Sequence, residues 1–228
     1  MTAATSATRF RDGLVVVLAL TTGAVNAVAF LRLGKVFASV MTGNLALFGV
    51  AVAQHDGQLA VNGGLALAGY GVGVVTGAAV ARQPREGQPA WPRPVTVTLL
   101  LELVVLAGFS GGWLAAGGHP SGDGQLVLLA VVSAAMGLQA TAVRRLGPMS
   151  STYLTSTVTA LLEGLARRRW PADWQRGGGA VCALVIGAVG GGLAALRAPA
   201  TVPAAIMVPL AVVLACRLPG PLTRARSR

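Results

Sequence analysis

Eight apolar segments divide the chain, and the short stretches between them carry most of its charges. They cover roughly residues 14–31, 36–53, 59–81, 94–116, 126–143, 149–165, 178–196 and 204–216. A helix needs about 20 residues to cross the hydrocarbon core of a bilayer, and the first, third, fourth, fifth and seventh segments are long enough. The second and sixth are slightly short and unusually polar, and the eighth is short. The pattern predicts an all-α integral membrane protein with six to eight transmembrane helices.

The composition explains why these segments belong in a bilayer. Of the 228 residues, 54% are hydrophobic and only 11% are charged, and the mean hydropathy is +0.69. A soluble protein has about 25% charged residues, so this chain lacks the polar coat that water requires. The net charge is +11, but the arginines lie at the ends of apolar runs and form no basic face with interleaved aromatic residues. We therefore expect these charges to lie in loops that set the topology and contact anionic headgroups of the lipid bilayer, and we expect no nucleic-acid partner.

The two halves of the chain resemble each other. A shift of 113 positions, from Arg32 to Arg145, places Arg32-Leu33-Gly34 on Arg145-Leu146-Gly147 and the first four apolar segments on the last four. The polar pairs that coincide are Asn26 with Gln139, Ser39 with Thr152, Thr42 with Thr155 and Asn44 with Thr157. We predict one membrane domain, residues 1–228, built from two homologous halves. The first repeat covers 12–116, the second 125–216, and a basic C-terminal tail covers 217–228.

Two topologies fit the distribution of basic residues. In the first, the N-terminus is outside and the sixth segment re-enters from the cytoplasmic side. Fifteen basic residues then lie inside and three outside (Arg9, Arg11 and Arg197), as the positive-inside rule favours. That solution treats the two repeats unequally. In the second, one segment of each repeat fails to cross, and three spans per half give an inverted repeat.

The second and sixth segments carry polar side chains at a depth where such groups need a hydrogen-bonding partner or a cavity. They read VFASVMTGN from Val36 to Asn44 and MSSTYLTSTVT from Met149 to Thr159. Transporters built from repeats place their sites at broken helices in matching positions. The pattern therefore predicts a solute site lined by Ser39, Thr42, Asn44, Thr152, Thr155 and Thr157. The alternative is close helix packing, in which small and hydroxyl side chains let backbones approach.

Three more polar groups lie within apolar segments. Asn26 and Gln139 form a second layer that either bonds across the repeat interface or contacts the solute. Glu102 stands in LLLELVV, where we expect it to be uncharged. It is either a proton-coupling group or a structural partner of another polar side chain.

Segments three and seven carry small residues at four-residue spacing: Gly69, Gly73 and Gly77, then Gly187 and Gly191. This spacing is typical of membrane helices that pack closely, and it predicts that both segments are scaffold helices.

No enzyme signature accompanies this pattern. The histidines, His55 and His119, fall in short connecting loops, and the sequence has no HExxH or P-loop. Cys182 and Cys216 lie in apolar stretches without metal-ligand spacing. We expect no catalytic residues, no cofactor and no metal, so any transport would be secondary or facilitated.

The sequence resembles the YoaK-like family of bacterial multi-pass membrane proteins, a domain of unknown function. The first half carries the resemblance in GAVNA (23–27) and LGKVFASVMTGN (33–44). The second half carries it in AMGLQ (135–139), RRLG (144–147) and YLTSTVT (153–159). The resemblance implies a bacterial inner-membrane protein of several helices and no established substrate. It also implies two departures, since relatives often have an acidic residue at the position of Asn26 and an Asn at that of Ala140.

Together these features favour a secondary transporter or permease for a small polar solute, located in the bacterial cytoplasmic membrane. The alternative is a non-transporting membrane scaffold whose polar residues serve helix packing. A homo-oligomer is compatible with either role.

Overall fold

The computed structural model describes residues 3–80, 91–146, 154–168 and 174–217, which form α-helices joined by turns, with no β-strand in these ranges. The helices are α1 (Ala3–Arg32), α2 (Met41–Gln54), α3 (Gly57–Val80), α4 (Arg93–Ala115), α5 (Gly122–Arg144), α6 (Leu154–Ala166), α7 (Trp174–Arg197) and α8 (Val202–Ala215). A single 3-10 turn, Pro199–Thr201, leads into α8. The predicted all-α fold is confirmed.

Two sets of contacts define the ends of the helix bundle. At one end, the guanidinium of Arg217 stacks 4.6 Å from the ring centroid of Phe10 and 4.5 Å from that of Trp91. We call this the basic end. At the other, which we call the opposite end, Arg32 donates to the carbonyl of Ala195 at 2.7 Å. Also at the opposite end, the indole of Trp113 donates to the carbonyl of Pro199 at 2.7 Å.

The two closest helix pairs run parallel. Along α1 and α7, Gly187 lies against Leu20 and Gly191 against Ala24. Along α3 and α5, Gly73 lies against Ala134 and Gly77 against Thr141. In each pair the glycine brings one backbone against the other, as the four-residue spacing of small residues predicts.

The remaining long helices alternate in direction between the two ends. Helix α4 begins beside Trp91 at the basic end and ends beside Trp113 at the opposite end, and α5 then runs back along it. Helix α8 follows Pro199 and ends beside Arg217, so it returns to the basic end. Five helices (α1, α3, α4, α5 and α7) are long and apolar enough to cross a membrane, and Pro199–Ala215 is a shorter apolar helix. Six helical segments therefore run from end to end.

Helices α2 and α6 do not run from end to end. Helix α1 finishes at the opposite end, and α3 starts there, since the carbonyl of Gly34 accepts from the amide of Asn62 at 3.2 Å. The intervening α2 therefore starts and finishes on the same side. Helix α5 ends at the basic end and α7 begins there, so the same reasoning applies to α6. Each half thus has three end-to-end helices and one re-entrant helix, in opposite orientations.

The packing contacts recur between the two halves. Gly23 lies against the carbonyl of Leu184, and Gly137 lies against that of Tyr70. Moving 114 positions takes Gly23 to Gly137 and Tyr70 to Leu184, and the same step takes Gly73 to Gly187. This two-fold pattern is the arrangement expected for an inverted repeat. A common origin of the halves stays a prediction.

Charge is distributed unevenly between the ends. Among the described basic residues, nine lie at the basic end or in the turns that meet there. They are Arg9, Arg11, Arg93, Arg144, Arg145, Arg167, Arg168, Arg176 and Arg217. Arg32, Lys35 and Arg197 lie at the opposite end. Some of the positive charge at the basic end is offset by Asp12, which pairs with Arg11 at 3.0 Å and with Arg176 at 3.3 Å.

Candidate functional site

The longest of the described non-helical segments is the turn between α1 and α2, residues 33–40. Gly34 has φ of 110° and Lys35 has φ of 59°, so two successive residues adopt left-handed backbone conformations. Only glycine adopts this conformation without steric cost. The pair of left-handed residues reverses the chain at the opposite end and sends it back toward the middle of the bundle.

Asn44 holds this returning chain to the first turn of α2. Its side-chain oxygen accepts from the backbone N–H of Phe37 at 2.8 Å, and its amide donates to the carbonyl of Phe37 at 2.6 Å. The side chain is fully buried. Asn44 therefore satisfies both polar groups of one residue in a segment without regular secondary structure, as a buried backbone requires.

Asn26 makes the equivalent connection from α1. Its amide donates to the hydroxyl of Ser39 at 2.7 Å and to the carbonyl of Thr22 at 3.0 Å, and its oxygen accepts from the N–H of Ser39 at 3.0 Å. Asn26 lies six residues before Arg32, which places Ser39 about 9 Å below the end of α1. The chain therefore re-enters the bundle before α2 carries it outward again.

The N-terminus of α2 consequently lies at about this depth, away from the opposite end of the bundle. Its N-cap residue, Val40, provides no side-chain hydrogen bond to the first turn. The free N–H groups of a first helical turn carry partial positive charge and favour an acceptor. Ser39 is half-buried beside this turn, whereas Thr42 within the turn is exposed.

A second polar contact joins the halves through α1 and α5. The hydroxyl of Thr22 donates to the side-chain oxygen of Gln139 at 2.8 Å, and the amide of Gln139 lies 3.4 Å from the carbonyl of Leu18. Asn26 and Gln139 thus stay in the same region but bond to different partners. In the helix packing the repeat offset is 114, so Gln139 takes the place of Val25 and not that of Asn26.

The remaining predicted site residues are dispersed. Thr42 and Thr155 are exposed on the first turns of α2 and α6. Thr157 is half-buried, and its methyl group lies 2.7 Å from the position that a Cβ at Gly177 would take. Helix α2 packs mainly on α3, and α6 mainly on α7. Thr152 lies outside the described residues. The structure therefore gathers Asn26, Ser39 and Asn44 in one cluster, with Gln139 close by through Thr22.

Glu102 is buried in the middle of α4, with an exposed fraction of 0%. Among the described residues neither of its carboxyl oxygens has a hydrogen-bond partner, and the buried hydroxyls of Thr21 and Ser133 have none either. Polar groups in a dry interior are normally hydrogen-bonded, so these three groups are exceptions within the bundle. These three groups belong to three different helices of the bundle.

Sequence reasoning missed two residues that shape the site. Thr22 links Asn26 to Gln139, and Asn62 binds Gly34 at the turn. Thr22 is one of two adjacent threonines in α1, Thr21 and Thr22, and a polar pair inside an apolar run was a signal for its involvement. Asn62 lies in α3, where its amide stands among Ala, Leu and Gly residues.

Two open grooves also mark the described surface. The larger, with a volume of about 530 Å³, is lined by residues of α1, α7 and α8, among them Leu20, Gly191 and Pro209. The smaller lies between α4 and α5 and includes His119. Neither includes the Asn26–Ser39–Asn44 cluster. In the described part of the chain, no three His, Cys, Asp or Glu residues group as metal ligands would.

The fold and the buried polar cluster define a class: a polytopic helical membrane protein with re-entrant segments. Residues 14–217 match the family described as "Protein of unknown function (DUF1275)". The chain belongs to this family. It is 34% identical over 165 residues to the "UPF0700 transmembrane protein YoaK" of Bacillus subtilis (strain 168), covering 72% of this chain and 71% of that protein. No solved structure matches.

Proposed function

We propose that this protein is a secondary transporter or permease for a small polar solute in the bacterial cytoplasmic membrane. The observation that carries the proposal is the re-entrant segment 34–54, which brings the N-terminus of α2 and Ser39 into the membrane interior. Transporters with inverted repeats place solute sites where discontinuous helices end near the midplane. The positive end of α2 and the nearby hydroxyls suit an uncharged or anionic solute that offers hydrogen-bond acceptors.

The proposed orientation places the basic end in the cytoplasm. The nine basic residues at that end, against three at the other, follow the positive-inside rule. The start of α1 and the end of α8 then face the cytoplasm, and the re-entrant α2 enters from outside.

One observation favours the scaffold role instead. The side chains of Asn26 and Asn44 are already engaged by the backbone and hydroxyl groups of segment 37–39. Residues that hold a loop in place need no solute. The transport role and the scaffold role are therefore distinguished by measuring solute flux across the membrane.

The test is solute entry into proteoliposomes, followed as light scattering after osmotic shrinkage. The panel comprises glycerol, urea, glycine and inorganic phosphate. The proposal predicts faster recovery of vesicle volume for at least one solute than in protein-free vesicles. Ser39→Ala should reduce that rate several-fold, because it removes the hydroxyl beside the N-terminus of α2.

Thr42→Val is the matched control, since it also removes a hydroxyl, but on the exposed side of α2. It should leave the rate unchanged. If folded protein accelerates none of the solutes, the scaffold role replaces the transport role.

A further inference from the structure

Glu102 differs from the other described acidic residues in its surroundings. Asp12 lies in the first part of α1 and pairs with two arginines, Asp56 and Asp123 lie at or before helix starts, and Glu163 is exposed on α6. Glu102 lies mid-helix, is fully buried and makes no ion pair with any described residue. An isolated carboxylate in a membrane interior is costly, so its persistence at this position calls for a function.

The helical period shows which way Glu102 faces. It lies eleven residues, or about three turns, before Trp113, so both side chains share one face of α4. Trp113 bonds to Pro199 just before α8, and a Cβ at its neighbour Gly112 would lie 2.9 Å from the side chain of Leu128 in α5. The Glu102 face of α4 is therefore turned into the seam between α8 and α5.

The antiparallel pairing of α4 and α5 shows the depth of Glu102. Glu102 lies ten residues before Gly112 on α4, and Gln139 lies eleven residues after Leu128 on α5. Gln139 in turn receives the hydroxyl of Thr22 at 2.8 Å. Glu102, Gln139 and Thr22 thus lie in one layer of the bundle, on helices α4, α5 and α1.

This layer has no described counter-charge for a carboxylate. The helices packed against α4 are α5, α8 and α3. Their charged groups lie at the ends, as Asp123 and Arg144 on α5 and Arg217 beyond α8, and Tyr70 is the titratable group within α3. The interior layer instead offers an amide and hydroxyls.

We propose that Glu102 is an exchangeable proton-binding site in the membrane interior, at the depth of Gln139 and Thr22. Loading transfers a proton from hydronium to a carboxylate oxygen, which forms an O–H bond and leaves water. Unloading reverses the step. Neutral Glu102 and neutral Gln139 can lie in a dry layer together, whereas the carboxylate needs water to enter.

The consequence for mechanism rests on the transport role proposed above. Glu102 is tolerated in a closed interior only while it carries its proton, and it releases the proton only when water enters. Proton movement is therefore linked to the opening of the bundle interior to water. Proton is then the ion coupled to solute movement.

Infrared spectroscopy in lipid vesicles tests the proton site without any solute. The readout is the carbonyl stretch of a neutral carboxylic acid, followed from mildly acidic to alkaline buffer and after exchange into D2O. We expect a band in the wild type that shifts in D2O and disappears reversibly in alkaline buffer. It should be lost in Glu102→Gln and kept in Glu163→Gln, which changes an exposed acid on α6.

A band that is absent from the wild type, survives in Glu102→Gln, or stays unchanged at every pH and in D2O would overturn the proposal. Coupling is read separately, from a pH-sensitive dye trapped in vesicles that take up a solute from the panel. Acidification that accompanies uptake in the wild type and is lost in Glu102→Gln supports coupling. Uptake at constant internal pH would contradict coupling and leave the transport role intact.

Discussion

At the scale of single residues, two asparagines decide the conformation of the segment between α1 and α2. Asn26 binds Ser39 and Asn44 binds Phe37, each through both polar atoms of its amide. The sequence indicated that these residues matter, because an amide in an apolar segment is hard to accommodate. It could not indicate their partners, since a hydrogen bond across the turn depends on the reversal at Gly34. Thr42, which the sequence analysis predicted as a site residue in the same stretch, 36–44, is exposed.

Replacing Asn44 with Ala should destabilise the protein. The change leaves the N–H and the carbonyl of Phe37 without partners, and we expect the free energy of unfolding to fall by about 2 kcal/mol. Thermal unfolding in detergent measures the effect. Thr42→Ala, two residues away on the exposed side, should unfold at the wild-type temperature. Equal melting of the two variants would show that Asn44 does not hold the turn.

At the scale of helices, the four-residue spacing of glycines predicted the packing of α3 and α7 correctly. The sequence could say that these helices pack closely, because only small residues allow backbone contact. It could not say on what they pack, since each helix pairs with one from the other half: α7 with α1, and α3 with α5. The sequence offset of 113 residues is also one residue smaller than the offset of 114 that relates the packed helices, because the RLG match lies in the turns.

Gly187 and Gly190 provide a matched test of this packing within one helix. A Cβ at Gly187 would collide with the backbone at Leu20, whereas a Cβ at Gly190 would meet nothing within 4 Å. Gly187→Ala should lower the free energy of unfolding by about 1–3 kcal/mol through overpacking. Gly190→Ala should leave stability unchanged or slightly raised, since Ala favours a helix over Gly. Similar losses in both variants would argue that α1 and α7 are not in backbone contact.

At the scale of the whole molecule, the sequence predicted the membrane class, the number of apolar segments and the unusual character of the second and sixth. It left the topology open between an unequal solution and an inverted repeat. Side-by-side contacts resolve this in favour of three end-to-end helices per half, because Asn62 meets Gly34 at the end where α1 finishes. A charge count could not resolve it, since both topologies segregate the basic residues well.

The most direct test of this account is the side of the membrane on which the two ends of α2 lie. Lys35→Cys, His55→Cys and Arg168→Cys would each be introduced into a background in which Cys182 and Cys216 are replaced by Ala. Intact bacterial cells would then be treated with a membrane-impermeant thiol reagent. A re-entrant α2 predicts labelling at positions 35 and 55 from outside, and at position 168 only after the membrane is broken. Labelling of 35 and 55 from different sides would mean that α2 crosses the membrane, which would contradict the re-entrant site.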